Sequence, residues 1–525
     1  MSIILSRADG PLISDSEVLR VVEVLAGFAT TRPAQIALIL GTKRVSYGEL
    51  ENQVASAMKV FDDFDLEPGD CIAYVGINNP VFIAVMLACM RAGLVLVPVN
   101  WRQKTREISY LLADSEANLL LADKAFLEMV QEANDARVPV ICIDGSDETD
   151  LPALLVAAQA GAGVIGGEWS AASLMLYTSG TTGKPKGVQI SERALALARQ
   201  IERDSGGFDD WGEDEVLLSP LPLFHIGGIS WALCGLNRGG TVVFTTDMSP
   251  TSMLDLCLAE GVTRTFMVPQ LVRGLIEEIV GREVRVESLK GIHYGAAPMD
   301  PPLLKRGIEQ IGCRFLQYFG MTEMSGTISI LSPEDHDLSR PHLLGSVGRA
   351  LPGSAIEIRD AEGRVVPCGV AGEIWAKGPT MMLGYGNRPD LTAQAIVDGW
   401  YRTGDGGKID QGGFLYLTDR IKDMIVTGGE NVYPAEVESV LREHPAVADC
   451  AVYGLPDPEW GEKVCAAIEI RSGHNAGCDD ILLYIRSQIA GYKSPKLIEI
   501  VEALPRTASG KIQRGTVRQI ALEKA

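Results

Sequence analysis

Residues 174–190 constrain this chain more than any other stretch. Leu174-Met175-Leu176 is an apolar run that reads as a strand, and Val188-Gln189-Ile190 reads as a second one. Between them stands Tyr177-Thr178-Ser179-Gly180-Thr181-Thr182-Gly183-Lys184-Pro185-Lys186-Gly187. Glycines let a loop turn its backbone N–H groups inward through positive φ, hydroxyls add donors, and lysines add point charge. That is the chemistry of a polyphosphate cradle. A plain hairpin turn needs only a few special residues, and this loop spends many more. A Walker-type loop is excluded, because Thr178 stands where its first glycine belongs and Pro185 where Ser or Thr should follow the lysine. The cradle runs from strand to strand, so it offers phosphate no helix N-terminus. Thr178, Ser179, Gly180, Thr181, Thr182, Gly183 and Lys186 are the candidate phosphate ligands.

The 525 residues are too many for one core, so two or more domains are expected. The formal net charge of −21 argues against nucleic acid or an anionic membrane as main partner. It does not forbid a bound nucleotide, because local charge decides that. The ten cysteines form no CxxC and have no paired-histidine spacing, which argues against a zinc site. Cys71, Cys89 and Cys465 sit in apolar runs and read as small buried hydrophobes. With no signal-peptide pattern at the start, a reducing cytoplasm is expected. Residues 81–90 and 94–99 are apolar, but Arg91 and Gly93 divide them and each part is too short to cross a bilayer. A buried helix followed by a buried strand fits them, and no integral membrane segment is expected.

Strand and helix signals alternate along the chain. An amphipathic helix is predicted over 16–28, with Leu19, Val22 and Leu25 on one face. Strands at 36–40 and 44–46 precede a helix over 47–61. Further strands fall at 71–75, 94–99, 119–122 and 138–143, and Asn79-Pro80 opens a helix. Residues 144–169 read as a helix flanked by surface loop, and Ser191 as the N-cap of a helix reaching Gln200. The two prolines in 218–228 predict a rigid buried strand or loop there, not a helix. Strands are predicted at 240–245, 264–268 and 313–316. Residues 291–298 read as a strand running into a small-residue turn, and 345–378 as a small β subdomain. After 420, Pro434 opens a helix with Val437, Val440 and Leu441 inward. Strands at 448–453 and 463–470 and a helix at 480–489 follow. The fold class is α/β. A large N-terminal domain over 1–419 carries doubly wound sheets plus the β subdomain. A small mobile α+β C-terminal domain occupies 420–525.

Four more strings carry chemistry. Tyr318-Phe319-Gly320-Met321-Thr322-Glu323 follows a strand and ends on a hydroxyl and a carboxylate. Trp400-Tyr401-Arg402-Thr403-Gly404-Asp405 ends on an acid, which suits ribose hydroxyls. Asp419-Arg420-Ile421-Lys422-Asp423 interleaves charged and apolar residues in a short link, and Leu504-Pro505-Arg506-Thr507-Ala508-Ser509-Gly510-Lys511 is a loop presenting a lysine. Together with the cradle these strings resemble the adenylate-forming superfamily: acyl-CoA synthetases, peptide-synthetase adenylation domains and firefly luciferases. The chain is most similar to fatty-acid and aryl-acid CoA ligases.

The resemblance implies that ATP activates a carboxylic acid as acyl-AMP, releasing pyrophosphate, and that coenzyme A then takes the acyl group. It makes Glu323 the Mg²⁺ ligand and places Thr322 at the α-phosphate. Gly295, Ala296, Ala297, Tyr318, Phe319 and Gly320 would surround adenine, Phe319 taking the usual tyrosine's place. Asp405 and Arg420 would hold ribose, Lys422 would be the hinge, and Gly428 and Gly429 would line the path of the CoA thiol. Lys511 would be the catalytic lysine. Read alone, His225 is a satisfied core histidine; the resemblance puts it between acyl group and nucleotide, a catalytic position. The acyl pocket would be drawn from His225, Gly227, Trp231, Tyr294, Gly295, Gly320 and Gly326. Amino-acid-activating relatives carry Asp after the residue matching Phe224, and His225 stands there, which argues against an amino-acid substrate. A fatty, aryl or alicyclic acid each suits the pocket. A carrier protein in place of CoA, a luciferase-like oxidation and an inactive nucleotide-binding relative are the competing readings. A homodimer is compatible with all of this.

Overall fold

The structure is a computed structural model describing residues 5–6, 18–135, 138–158, 166–178, 184–205, 211–297, 299, 301–420, 423, 425–427, 430–432, 434–457, 460–489, 491–507 and 510–524. Two compact units divide it, one holding 5–355 and 376–401, the other 356–375 and 402–525.

In the first unit, short runs rich in Val, Ile and Leu become strands buried on both faces. Cys71–Val75 and Val95–Val99 are buried at every position and pair in parallel. Such doubly covered parallel strands need helices on both sides. The helix Pro80–Ala92 between them is apolar up to Met90 and buried through Arg91, whose guanidinium pairs with Glu51 at 2.7 Å. It starts because the Asn79 side chain accepts from the Val81 N–H and Pro80 fits the first turn. It stops at Gly93, whose φ of 76° is the left-handed cap a side chain resists.

Two large sheets result. Among the described residues one has seven strands, in the order Gly384–Tyr385, Lys186–Ser191, Ala172–Thr178, Val95–Val99, Cys71–Val75, Ala117–Ala122 and Val140–Cys142. The other has nine, with Arg314–Met321, Gly291–Gly295, Arg264–Met267 and Val216–Ser219 side by side and parallel at its centre. Antiparallel strands close its edges, Gly326–Leu331 and then Arg349–Ala350 on one side and Lys43–Ser46 on the other. Both sheets are thus mixed: the nine-stranded one is antiparallel at both rims, the seven-stranded one only on the Gly384–Tyr385 side.

Two expectations need correcting. The first long helix is Val21–Thr31, displaced toward the C-terminus from the predicted 16–28. Val22 and Leu25 are buried in it, but Leu19 precedes it and is 65% exposed. Residues 226–228, predicted as strand or loop, open the helix Ile226–Leu236. Its residues are apolar on nearly every side, so no amphipathic period announced it. A Cβ on Gly228 would lie 2.3 Å from the Pro222 carbonyl oxygen, so the glycine lets the helix begin flush against the proline turn.

The second unit combines a small β layer, with Trp400–Ile409 and Leu415–Arg420 antiparallel, and an α+β body. In that body Val447–Asp457 and Gly461–Ile470 form a long hairpin, and Leu497–Val501 adds to it in parallel. The helices Pro434–Glu443 and Cys478–Gln488 cover one face, with Val437, Leu441, Ile481 and Ile485 in the core.

Candidate active site

The phosphate loop is the turn of a hairpin. Ala172–Thr178 and Lys186–Ser191 are antiparallel, and Thr178 lies opposite Lys186. Residues 179–183, carrying the expected ligands Ser179, Gly180, Thr181, Thr182 and Gly183, lie outside the described residues. The base of the loop is pinned by Tyr110, whose hydroxyl reaches the Pro185 carbonyl at 3.1 Å, and by Tyr177, which donates to Asp114 at 2.8 Å. The Thr178 hydroxyl is buried without a partner among the described residues. The Lys186 ammonium sits 4.1 Å from the centre of the Tyr385 ring.

Thr322 and Glu323 form a single 3-10 turn, Thr322–Met324, at the end of Arg314–Met321. Two left-handed residues, Ser325 at φ 56° and Gly326 at φ 118°, turn the chain back into the next strand. Strain of this kind collects at functional sites. Glu323 is 8% exposed. Its Oε1 accepts from the Tyr385 hydroxyl at 3.0 Å, and Tyr401 stands beside the same carboxylate. Burial first, then the Glu323 charge, pushes both phenols well above their ordinary range. Each hydrogen bond to a carboxylate contributes about 1.5–3 kcal/mol, so the side chain is fixed rather than free to rotate. Among the described residues no three acidic, histidine or cysteine side chains come together. A carboxylate of this kind fits Mg²⁺, which takes one or two protein oxygens and completes its shell with phosphate and water.

An open, largely apolar cavity lies beside this turn. Met321 and Gly326, on either side of the turn, both line it, whereas Glu323 between them does not. Four of the expected pocket residues line it: Gly227, Trp231, Gly320 and Gly326. Gly320 is required by close approach, since a Cβ there would lie 1.8 Å from the Gly326 carbonyl oxygen. Gly295 is similar, with its Cβ position 2.5 Å from the Tyr318 carbonyl oxygen. Ala296 follows it at φ 62° and joins the lining; Ala297 is half-buried.

Three placements differ from expectation. Tyr294 is not in the cavity wall. It is buried in the opposite core layer, its hydroxyl between Gln317 at 3.2 Å and His336 at 2.9 Å. Strand alternation puts His293 on the cavity side instead, bonded through Nδ1 to the Tyr318 hydroxyl at 2.8 Å. Tyr318, expected at adenine, lines this cavity with its ring edge-on to Phe266, while Phe319 alternates to the other face. His225 does not line the cavity either. It caps the helix Ile226–Leu236 with its ring on Phe224, and burial plus the Arg102 charge pushes its pKa down to about 4. It is a neutral imidazole at neutral pH.

The second unit holds the other expected ligands. Asp405 lies directly opposite Arg420 in the antiparallel ladder. The Asp405 N–H donates to the Thr403 hydroxyl, which donates to the Ile374 carbonyl, fixing the backbone before the acid. Lys511 is exposed on a hairpin closed by the Arg506–Ile512 bridge, with its N–H on the Thr507 hydroxyl. Arg506 anchors that hairpin on Asp449 at 2.8 Å and Glu469 at 3.2 Å. Lys422, Gly428 and Gly429 lie outside the described residues.

Sequence reasoning missed Tyr385, Arg199, Glu202 and Ser230. Gly384-Tyr385-Gly386, an aromatic between glycines, and Tyr401 inside its own motif were the available signals for the phenols. Nothing local marks Arg199 and Glu202, which look like the polar face of the helix Glu192–Asp204.

Residues 25–386 match the AMP-binding enzyme family, and 436–511 match the AMP-binding enzyme C-terminal domain. The chain belongs to this family. It is 35% identical to the feruloyl-CoA synthase of an Amycolatopsis species, over 94% of this chain and 97% of that one. It is 34% identical to the fatty acid–[acyl-carrier-protein] ligase ScoC of Streptomyces coeruleorubidus, over 95% of each. Among solved structures it resembles o-succinylbenzoate CoA synthetase of Bacillus subtilis in complex with its acyl-adenylate intermediate. The TM-score is 0.83 at 32% identity, covering 94% of this chain and 97% of that one. The adenylate-forming resemblance read from the motifs and the α/β architecture are both shown.

Proposed function

We propose that this AMP-binding enzyme is an ATP-dependent acid–thiol ligase. It joins a carboxylic acid to the α-phosphate of ATP, releases pyrophosphate, and then passes the acyl group to coenzyme A with release of AMP. The observation that carries this reading is Glu323, held by the Tyr385 hydroxyl in a turn whose flanking residues Met321 and Gly326 line an apolar cavity. A fixed carboxylate for a phosphate-bound cation, in a turn flanked by an apolar cavity, is what acid activation needs.

A carboxylate cannot be displaced by a thiol directly, because oxide would have to leave. Its oxygen attacks the α-phosphorus instead, the bond to the pyrophosphate oxygen breaks, and a mixed anhydride forms. Both reactants are anions, so the barrier is largely electrostatic. Mg²⁺, when bound at Glu323, neutralises phosphate charge. The loop 178–186 holds the phosphates, Thr322 donates to the α-phosphate, Asp405 and Arg420 hold the ribose, and Lys511 stabilises the charge that develops. His225, being neutral, orients by hydrogen bonding and carries no charge in this scheme. The thiol step needs a free path along Gly428 and Gly429, whereas the first step needs Lys511 inside. A domain over 420–525 turning about Lys422 meets both demands in one site. The ten cysteines, all free thiols, agree with a cytoplasmic location.

The test is acid-dependent exchange of labelled pyrophosphate into ATP, followed by thioester formation on adding CoA. Exchange with no acid of a broad set refutes the reading. The likeness to an acyl-carrier-protein ligase favours a second acceptor. Thioester on a carrier's phosphopantetheine but not on CoA would select it.

A further inference from the structure

One wall of the cavity holds two polar groups that the protein leaves unsatisfied. Arg199, on the helix Glu192–Asp204, is 1% exposed. Its Nη1 donates to the Ser230 carbonyl and its Nη2 to Glu202 at 2.8 Å. Its Nε–H has no partner among the described residues. Ser230, on the helix Ile226–Leu236, is 9% exposed, and its hydroxyl has no partner among them either. Arg199, Glu202 and Ser230 all line the cavity. An unsatisfied buried donor costs about 1–3 kcal/mol, so two on one wall call for an acceptor that the protein does not supply.

The rest of the wall is flat and aromatic. Trp231 and Phe266 meet at a centroid distance of 5.9 Å, and Phe266 and Tyr318 at 5.5 Å, edge to face. The Trp231 indole N–H is spent on the Leu218 carbonyl at 2.9 Å, so the tryptophan offers the cavity only its ring. Gly227 and Gly320 carry no side chain into the space between. An alkyl chain would fill this cavity but leave the Arg199 Nε–H and the Ser230 hydroxyl dry and unpaired. A second carboxylate would meet the Glu202 carboxylate. It would also find no guanidinium fork, because both Nη groups of Arg199 are already engaged.

We propose that the acid is a flat aromatic acid bearing an uncharged oxygen, as hydroxyl or methoxyl, on the ring end remote from its reacting carboxylate. That oxygen is bound by Arg199 Nε and Ser230 Oγ. This rests on the ligase reading and narrows its substrate.

The test compares pyrophosphate exchange with 3-phenylpropenoic acid, its 3- or 4-hydroxy and methoxy derivatives, its 4-carboxy derivative and hexadecanoic acid. For the wild-type enzyme, kcat/KM for the best oxygenated acid should exceed that for the unsubstituted acid about ten- to a hundredfold. The 4-carboxy and hexadecanoic acids should fall below the oxygenated acid. Ser230→Ala, a small change, and Arg199→Lys, which keeps the charge beside Glu202 but has no Nε–H, should each bring the ratio toward one. The change should appear mainly in KM. A wild-type ratio near one, a best rate with the dicarboxylate or the alkyl acid, or a ratio untouched by both substitutions overturns the proposal. Exchange without preference fails this proposal alone; no exchange with any acid fails the ligase reading as well.

Discussion

Gly320→Ala concentrates the geometry of this site into one methyl group. The new Cβ would stand 1.8 Å from the Gly326 carbonyl oxygen, 2.6 Å from its carbon and 2.7 Å from Thr327 Cα. All three are backbone atoms, so no side chain can swing aside. A carbon–oxygen contact relaxes only beyond about 3 Å, so the two strands must part by more than about 1 Å. They already have a register irregularity between Phe319 and Gly320, and the separation would be passed to the Thr322–Met324 turn two residues on. Overpacking of this size costs about 1–3 kcal/mol, which the fold survives as a lower Tm. Misplacing a catalytic carboxylate by about 1 Å costs on the order of 10²-fold in rate. The assay is acid-dependent pyrophosphate exchange at 25 °C, beside a thermal melt and Gly281→Ala, whose Cβ meets open space, as control. We expect kcat to fall about a hundredfold in Gly320→Ala while the control stays at wild-type rate. Activity within threefold of wild type would show that the turn does not need the close approach of these strands.

Lys511→Ala should lower acyl-adenylate formation about 10²–10³-fold and spare thioester formation from supplied adenylate; equal loss in both half-reactions defeats that assignment. Tyr385→Phe removes one phenol from Glu323 and should raise the Mg²⁺ concentration for half-maximal exchange about tenfold, and an unchanged Mg²⁺ titration would mean the phenol does not hold the carboxylate for a cation. His336 is pushed down to about 4 by burial, with Nδ1 at 2.7 Å from the Ser332 carbonyl and Nε2 at 2.9 Å from the Tyr294 hydroxyl. The unfolded chain takes up that proton near pH 6.5 and the folded one only near 4, so stability is full above 6.5 and falls as pH drops between those values. Urea midpoints should therefore show a loss of about 2 kcal/mol from this group between pH 7 and 5, and His336→Gln should flatten the slope; an unaltered slope refutes it.

Much of the fold was legible because its signals are local. Asn79-Pro80 and Ser191 start helices where their side chains cap them, and apolar runs bounded by glycine became the buried strands. The hairpin under the phosphate loop was legible for the same reason. The acyl wall was harder. Reading Tyr294 into it erred by one residue, and one residue on a strand exchanges the two faces. The helix Ile226–Leu236 was hidden because a helix buried all round has no period to show. Arg199 and Ser230 look ordinary in sequence, and only the packing of two helices makes them a dry pair of donors. Tyr385 stands 62 residues from the carboxylate it holds, a separation that no local pattern bridges.

The path of the chain around Glu323 has a mechanical consequence. After 375 the polypeptide leaves the second unit, contributes Tyr385 and Tyr401 within the first, and re-enters the second at 402. Tyr401, beside the acid, shares the strand Trp400–Ile409 with Asp405, and Tyr385, which bonds the acid, lies between the two crossings. A pull on that strand is passed through the main chain to the residues around the Glu323 carboxylate.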